Sequence, residues 1–307
     1  MAANELSRDN MKNHYVAAAA ATILWGFTYI LSTTMLPGHP MFIGAVRAIG
    51  GALPLLLLAR EWPPGAFWPK LIILGTLNTG LFFGLVFIAV LNLPGGVAGT
   101  FQALGPLFSI LLVWPLLGHR PTMAKILSLL IGVVGVALIV LKGGASINML
   151  GVLAALGSAF SMALGGVLVQ KWGQPMSPTG FTAWQLAIAG VELGAVSLVT
   201  NDLPSSLTGT NILGLAILAF ALTAIPFLLW FKAIKGVGAA RVAPFFLLTP
   251  VVAFAMDAAV RGLVPSPLQA AGVVLVIVGL VVNIYAARAT SIAAKIKPSY
   301  PEQAVVD

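Results

Sequence analysis

Two charged side chains, Arg47 and Glu192, stand well inside long apolar segments of this sequence. A charge in apolar surroundings is costly unless it is paired or serves binding. The guanidinium of Arg47 can bind a carboxylate through two hydrogen bonds, or it can snorkel or bond helix carbonyls as a structural lock. The carboxyl group of Glu192 can bind a cation, carry a proton, pair with Arg47 or stay neutral as a structural group.

Amide and aromatic side chains recur near the centres of other apolar segments. Asn78 and Phe82 are four residues apart and share one helix face. They can hold the polar head and the ring of an amino acid, or form a helix–helix hydrogen bond beside a lipid-facing ring. Gln102 lies four residues before Pro106, whose ring leaves the Gln102 carbonyl free for a substrate ammonium or a neighbouring hydroxyl. The candidate substrate-binding residues are Trp25, Asn78, Phe82, Phe83, Phe101, Gln102, Trp184, Gln185, Phe227 and Phe246.

The sequence carries no pattern typical of a metal site or a catalytic centre. There is no cysteine, and His14, His39 and His119 fall at the ends of separate apolar segments. No nucleophile stands beside a base within those segments. We therefore expect no metal, no cofactor and no enzymatic activity.

The elements that carry the candidate residues are predicted to be membrane-spanning helices. The chain of 307 residues is 59% hydrophobic and 8% charged, whereas soluble domains are about one quarter charged. Several uncharged stretches exceed the roughly 20 residues needed to cross a bilayer. The predicted fold is an all-α integral membrane protein with ten transmembrane helices, at residues 15–36, 40–59, 69–92, 95–117, 122–141, 149–171, 178–200, 211–231, 237–260 and 267–287.

Basic residues are distributed unevenly between the predicted loops. If the N-terminus and the even-numbered loops share one side, that side holds 13 of the 16 Lys and Arg residues and the other side holds two. The positive-inside rule then predicts that both termini are cytoplasmic. This asymmetry accounts for the net charge of +8, and the dispersed basic residues need no nucleic-acid partner.

Asp257 and Arg261, four apart near the end of the ninth span, predict a local ion pair.

The second half of the chain repeats the first. Four proline and glycine landmarks recur 144 residues later: Pro106, Gly118, Pro121 and Gly135 are matched by Pro250, Gly262, Pro265 and Gly279. Because each half carries five predicted spans, an odd number, the halves are predicted to be inverted repeats, as in alternating-access transporters. The predicted boundaries are a cytoplasmic tail at 1–13, repeats at 14–142 and 143–288, and a second cytoplasmic tail at 289–307.

Arg47 and Gln185 hold equivalent positions in the two repeats. Arg47 follows Pro40 by seven residues, and Gln185 follows Pro178 by seven residues. Both fall in the second predicted span of their repeat. The halves therefore differ at this position, and Glu192 occurs in the second half alone, so we expect substrate selection to depend on these differences.

The pattern resembles the EamA-type families of the drug/metabolite transporter superfamily. The resemblance rests on the Trp-Gly-Phe-Thr run at 25–28, on Arg47 after Pro40, and on closing helix pairs with a mid-span proline and then Gly-x-x-Pro. The chain has Gly118-His119-Arg120-Pro121 where many members carry Gly-Glu-x-Pro. Among subfamilies it is most similar to the bacterial aromatic amino-acid exporters of the YddG type. The resemblance implies ten helices, a central cavity, efflux from the cytoplasm and a place in the bacterial inner membrane.

The leading functional hypothesis is a secondary transporter that exports small amphipathic metabolites, chiefly aromatic and other neutral amino acids, by alternating access. We expect a monomer in the lipid bilayer, with Glu192 and Arg47 as candidates for charge or proton coupling; facilitated diffusion stays equally open. The alternative is an efflux carrier for drugs or planar cations, and a channel and an integral-membrane enzyme are more remote. The candidate hinge or packing positions are Gly95, Gly99, Pro106 and Pro250.

Overall fold

The structure of the protein, a computed structural model, describes residues 2–118, 120–141, 148–237, 242, 245–246 and 248–296. These residues form helices and connecting loops, with no strand among them. The predicted junction between the repeats, around 143–148, lies outside the described residues except for Asn148. The helices are α1 (Ala2–Thr34), α2 (Pro40–Ala59), α3 (Gly65–Asn92), α4 (Gly95–Leu117), α5 (Met123–Leu141), α6 (Met149–Trp172), α7 (Pro178–Val199), α8 (Gly209–Val237), α9 (Leu248–Arg261) and α10 (Pro267–Ile296).

Seven of the described helices, α1 to α4 and α6 to α8, are long and apolar enough to cross a membrane. Helices α5 and α10 contribute shorter apolar segments, Met123–Leu138 and Pro267–Val282. The described chain is therefore an all-helical, multi-pass membrane protein, as its composition predicted. A count of ten spans in two inverted repeats stays a prediction.

Proline fixes the beginnings of several helices. Pro40 and Pro178 lie in the first turns of α2 and α7, where a missing N–H costs little and the fixed φ suits a helix. The predicted spans 40–59 and 95–117 coincide with α2 and α4. Helix α1 begins at Ala2 and α10 continues to Ile296, so regular helix extends into both segments that were predicted as polar tails.

Two helices contain a π-helical segment that the sequence pattern did not predict. In α3 it covers Thr76–Leu81, and in α8 it covers Ile217–Ala224. Such turns are rare and frequently occur at functional sites, because the extra residue shifts carbonyl groups away from their usual donors. Thr79 and Thr223, one in each segment, are separated by the same 144 residues as the landmarks of the repeat.

Helices α2 and α7 pack side by side in opposite directions, and each holds the beginning of the other. Asp202, just after α7, accepts a hydrogen bond from the Met41 N–H at 2.6 Å and contacts Nδ1 of His39 at 3.0 Å. Glu61, just after α2, accepts one from the Ser177 N–H at 2.9 Å. Each carboxyl group thus satisfies a free N–H at the positive end of the partner helix. We call these two contacts the reciprocal caps.

The residue before each capping carboxyl group has an unusual backbone. Arg60 and Asn201 are the two non-glycine residues with positive φ in the described chain, and both have φ of 52°. A left-handed residue ends a helix by turning the chain away from the axis. The turn therefore directs Glu61 and Asp202 towards the start of the neighbouring helix.

The glycine landmarks of the repeat have two different structural uses. Gly118 and Gly262 adopt φ of 74° and 65° after α4 and α9, a conformation that glycine adopts without strain. Gly135 and Gly279 lie where α5 and α10 meet, and a Cβ atom at either position would come within 2.7 or 2.8 Å of a carbonyl oxygen on the facing helix. Glycine therefore allows the backbones of α5 and α10 to approach closely.

Candidate functional site

Three of the predicted substrate-binding aromatic residues meet in one cluster. The ring of Trp25 on α1 stacks on Phe246 at 5.6 Å and meets Phe227 on α8 edge to face at 5.4 Å. Trp230 lies three residues beyond Phe227, and its ring is 4.5 Å from that of Phe246. Trp230 is buried and the other three residues are half-buried. We call these four residues the aromatic cluster, and its edge and face contacts are those that a substrate ring would also make.

Asn78 and Gln185, predicted from separate spans, are bound to each other. The Asn78 Nδ2 group donates a hydrogen bond to Gln185 Oε1 at 2.8 Å. Thr79 donates to the main-chain carbonyl oxygens of Gln185 at 2.9 Å and of Gly75 at 2.7 Å. Phe82, one turn beyond Asn78, is half-buried. The π segment of α3 is thus bound to α7, which fits the interpretation of Asn78 as a helix–helix hydrogen bond.

Arg47 makes the corresponding contact with the π segment of α8. Its Nε group donates to Thr223 Oγ1 at 3.0 Å, and Nη2 lies 3.5 Å from the Leu222 carbonyl oxygen. Thr223 donates in turn to the Leu218 carbonyl oxygen at 2.7 Å. The guanidinium carbon lies 4.4 Å from the centre of the Phe83 ring, within cation–π range. These contacts fit the structural-lock interpretation of Arg47, and none of them requires a substrate carboxylate.

Gln102 lies at an interruption in α4. The helix stops at Gln102 and resumes at Gly105, immediately before Pro106. The amide Nε2 group of Gln102 donates to Ser158 Oγ on α6 at 2.6 Å, while its Oε1 atom is buried without a hydrogen-bond partner. Phe101 beside it is fully buried. Because a buried acceptor without a donor is costly, Gln102 Oε1 is well suited to accept a hydrogen bond from a substrate.

Glu192 and Arg47 have separate partners. The Oε1 atom of Glu192 lies 2.5 Å from Thr76 Oγ1, which itself lies 2.9 Å from the Ile72 carbonyl oxygen. The Oε2 atom lies against Gly80, where a Cβ atom would come within 2.7 Å of it. Glu192 is half-buried at the boundary between α3 and α7. No ion pair joins it to a basic residue of the described chain.

Trp184 lies apart from the other aromatic candidates. Its Nε1 group donates a hydrogen bond to the Glu61 carbonyl oxygen at 2.8 Å. Its ring lies 4.9 Å from Trp62 and 5.2 Å from Trp68. Trp184 therefore connects α7 to the loop between α2 and α3 and to the first turn of α3.

The candidate hinge residues Gly99 and Pro250 face each other, since a Cβ atom at 99 would lie 3.4 Å from the Pro250 Cα atom.

Further along α9, Asp257 accepts a hydrogen bond from the Gly96 N–H at 2.8 Å. Asp257 is only 1% exposed, and its predicted ion pair with Arg261 is present at 3.5 Å. Asp257 thus also holds the start of α4, a role that the local spacing did not predict.

Thr79 and Thr223, the partners of Gln185 and Arg47, stand near the centres of predicted spans but were not among the candidate site residues. The 144-residue offset relates these two threonines and was available in the sequence. Ser158, whose hydroxyl contacts Gln102, was not among the candidates either. Among the described residues, no group of three or more His, Cys, Asp or Glu side chains is placed to hold a metal ion.

An apolar groove of about 430 Å³ lies between α2 and α8. Phe42, Ile49 and Phe220 are among its lining residues. The groove shares no residue with the candidate set, and its walls offer almost no polar group to orient a ligand. We therefore do not assign the substrate site to it.

Comparison with known proteins identifies the family. The sequence model of the EamA-like transporter family matches residues 13–141 and, a second time, residues 149–285. Protein PecM of Dickeya dadantii (strain 3937) is 32% identical over 265 residues, which cover 85% of this chain and 89% of the relative. A Salmonella typhimurium protein with the name probable amino-acid metabolite efflux pump is 25% identical over 292 residues, or 88% of this chain and 94% of the relative.

Two further similarities agree with this match. An Escherichia coli (strain K12) protein, also with the name probable amino-acid metabolite efflux pump, is 26% identical over 297 residues, covering 89% of this chain and 95% of the relative. A solved crystal structure matches with a TM-score of 0.62 at 20% identity, over 94% of this chain and 99% of that one, and so shares its fold. The chain therefore belongs to the EamA-like transporter family, within the drug/metabolite transporter superfamily, and is a multi-pass membrane transporter.

Proposed function

We propose that this transporter exports small amphipathic metabolites, chiefly aromatic and other neutral amino acids, by alternating access. The observation that carries the proposal is the aromatic cluster. Rings from α1, from α8 and from Phe246 before α9 meet at 4.5 to 5.6 Å. A substrate ring that enters between these rings gains the edge and stacking contacts that they now make with one another.

The polar groups near these helices suit a zwitterion better than a multiply charged anion. Gln102 Oε1 is a buried acceptor without a donor, so it can bind a substrate ammonium group. Arg47 is the one basic residue well inside a predicted span, and its Nε and Nη2 atoms already contact α8. The names of the two relatives that refer to amino-acid metabolite efflux support the same substrate class.

The mechanism that we propose uses ten spans in two inverted five-helix repeats. Three observations support inversion: the family matches each half separately, both third helices of the halves contain a π segment, and α2 and α7 cap each other from opposite ends. Rocking of one repeat against the other then opens the site to each side in turn. The positive-inside rule supports cytoplasmic termini, and the bacterial relatives support a place in the inner membrane.

The proposal is tested by counterflow in proteoliposomes with a panel of radiolabelled amino acids. We expect saturable exchange, fastest for aromatic and large neutral substrates. Trp25→Leu should lower aromatic exchange about tenfold and aliphatic exchange less, because ring–ring contacts contribute about 1 kcal/mol each. Trp114→Leu is the matched control, since Trp114 on α4 is 53% exposed and makes no ring contact with the described residues.

Three results would contradict parts of this proposal. Failure of every amino acid to exchange would overturn the substrate class, and exchange of planar cations in their place would favour drug efflux. Flux that does not saturate and shows no counterflow would indicate a channel. Equal losses in the Trp25 and Trp114 variants would remove the aromatic cluster from the substrate site.

A further inference from the structure

The apolar groove between α2 and α8 opens on a surface that a bilayer covers. Ile49, Ile212 and Phe220 are among the residues that line it, and they are 45%, 57% and 52% exposed. Both helices are long and apolar enough to cross a membrane, so apolar side chains exposed between their ends face lipid. The groove, with its volume of about 430 Å³, is therefore continuous with the lipid-facing surface of the protein.

The groove is nearly as long as the hydrocarbon layer of one leaflet is thick. Its lining runs from Phe42 to Gly50 on α2 and from Ile212 to Phe220 on α8. Each stretch covers eight residue steps, or about 12 Å along a helix, whereas one half of the hydrocarbon core is about 15 Å thick. Phe42 and Ile212 lie just inside the starts of their helices. The groove thus runs from one membrane surface towards the midplane.

In the other repeat, protein side chains fill the corresponding place. The offset of 138 residues that relates α2 to α7 pairs Val46 with Trp184. The offset of 144 residues that relates α3 to α8 pairs Trp68 with Ile212. Val46 and Ile212 both line the groove, whereas the rings of Trp184 and Trp68 are in contact at 5.2 Å. Two smaller side chains therefore leave the groove where two tryptophans close the equivalent interface.

The helices themselves meet closely at both interfaces, so the difference lies in the side chains. A Cβ atom at Gly50 would come within 2.5 Å of the Ala219 Cβ atom. At the other interface, a Cβ atom at Gly75, which corresponds to Ala219, would come within 3.0 Å of the Ile188 Cβ atom. Ile188 in turn corresponds to Gly50. An unfilled groove forfeits the dispersion contacts that a filled interface makes, and an apolar chain from the membrane restores them.

The polar residues at the open end of the groove offer no site for an anionic headgroup. Residues 33–46 and 200–216, around the starts of α2 and α8, contain no Lys or Arg. Asp202 lies at this end, but it is already bound to His39 and to the Met41 N–H. Recognition in the groove would therefore depend on the apolar chain of a ligand and not on its headgroup.

We propose that this groove binds one acyl chain of a membrane phospholipid and holds it as a structural ligand between the two halves of the chain. The inner end of the groove is formed by Ala219 and Phe220 in the π segment of α8. The same segment contains Thr223, to which Arg47 of α2 is bound. A seated acyl chain extends the contact of the halves from this polar bond to the membrane surface. The inference does not rest on the proposed export function.

The site is tested with a phosphatidylcholine that carries a photoreactive diazirine midway along one acyl chain. The purified full-length protein is placed in nanodiscs that contain this lipid, illuminated, and mapped by peptide mass spectrometry. We expect adducts concentrated on the stretches 42–50 and 207–220. Fewer are expected at Val191 and Leu198 of α7, which are 71% and 65% exposed outside the groove. Equal labelling at all of these positions would show ordinary surface lipid and would overturn the proposal.

Filling the groove with side chains tests the same site in a second way. Val46→Trp combined with Ile212→Trp copies the tryptophan pair of the other repeat, and groove labelling should fall to the level at Leu198. Ala216→Phe fills the groove from an exposed position and serves if the double variant does not fold. Leu213→Phe is the matched control and should label as the wild type does, since Leu213 is 56% exposed and does not line the groove. Undiminished groove labelling in the filled variants contradicts the assignment.

Native mass spectrometry of the detergent-purified protein identifies the occupant. We expect one phospholipid to stay bound after mild delipidation of the wild type and of Leu213→Phe, and to be lost from the filled variants. Zwitterionic and anionic phospholipids of equal chain length should be retained equally, and a strong preference for the anionic one would overturn recognition through the chain. A lipid-free dimer that the filled variants abolish would assign the groove to a second copy of the protein instead.

Discussion

Arg47 and Gln185 occupy equivalent positions in the two halves of the chain, yet each binds the half to which it does not belong. Arg47 of α2 holds Thr223 in the π segment of α8. Gln185 of α7 accepts a hydrogen bond from Thr79 in the π segment of α3. The two contacts use different chemistry. Arg47 donates from its guanidinium group, whereas Gln185 accepts through its side-chain amide oxygen from Asn78 and through its main-chain carbonyl from Thr79. The halves are thus joined at matching positions by contacts of different chemistry.

We predict that the Arg47 contact contributes to the stability of the fold and not to the choice of substrate. Arg47→Lys removes the planar fork that reaches Thr223 Oγ1 and Leu222 while it keeps the charge. We expect a loss of about 1.5 to 3 kcal/mol in stability, measured as a lower thermal midpoint in detergent, with all substrates affected in proportion. Arg60→Lys, at an exposed position, is the control. An unchanged midpoint with selective loss of carboxylate-bearing substrates would show that Arg47 binds substrate.

At the scale of helices, polar contacts at the ends fix how neighbours pack. Asp202 and Glu61 hold the beginnings of α2 and α7, and Asp257 holds the beginning of α4. The first N–H groups of a helix have no partner within it. The carboxyl groups supply these partners from a neighbouring helix end and so help to fix where helices meet.

The reciprocal caps are predicted to contribute independently. Asp202→Asn and Glu61→Gln each remove a charge from a helix beginning, and each should cost about 1 kcal/mol of stability. Because the two sites lie at opposite ends of the helix pair, the loss in the double variant should equal the sum of the single losses. Thermal unfolding in detergent measures all three variants. A double variant no less stable than either single one would contradict independent caps.

The glycines between α5 and α10 lead to a prediction about packing. Gly135→Ala places a Cβ atom 2.7 Å from a main-chain oxygen of α10, so the helices must separate, at a cost of about 1 to 3 kcal/mol. Gly194→Ala is the matched control on α7, since nothing lies within 4 Å of its Cβ position. That change should be neutral or stabilising because alanine favours a helix over glycine. Similar thermal midpoints for the two variants would contradict close packing at Gly135.

Several features of these helices were predictable, and others were not. The beginnings of α2 and α7 follow from Pro40 and Pro178, because a proline restricts its own backbone whatever surrounds it. The π segments were not predicted, because one extra residue in a turn barely changes a uniformly apolar pattern. The partners of Arg47 and Glu192 depend on residues more than 100 positions away, and spacing along one helix carries no information about them.

At the scale of the whole molecule, the charge distribution predicts which loops face the cytoplasm. The loop after α2 is flanked by Arg60 and Lys70, whereas the loop after α9 follows Arg261. If most basic residues are cytoplasmic, Trp62 and Val264 lie on opposite sides of the membrane. Both side chains are well exposed, at 78% and 77%.

This topology is open to a direct labelling experiment. The chain has no native cysteine, so Trp62→Cys and Val264→Cys each create a single thiol. A membrane-impermeant maleimide added to intact cells should label the Val264→Cys variant, and the Trp62→Cys variant only after the cells are opened. Labelling of both in intact cells would show dual insertion, and the reverse pattern would contradict cytoplasmic termini.

The reciprocal caps also limit how the molecule can change shape. If α2 slid along α7 by one helical turn, about 5.4 Å, both Asp202 and Glu61 would lose their N–H partners together. The two helices are therefore coupled against axial displacement, and the proposed rocking of one repeat against the other must turn about this pair rather than slide along it. The π segments of α3 and α8 each contact this pair, so bending at those segments would leave both caps in place. Under the proposed mechanism, the helix pair would thus be the axis about which the two repeats turn.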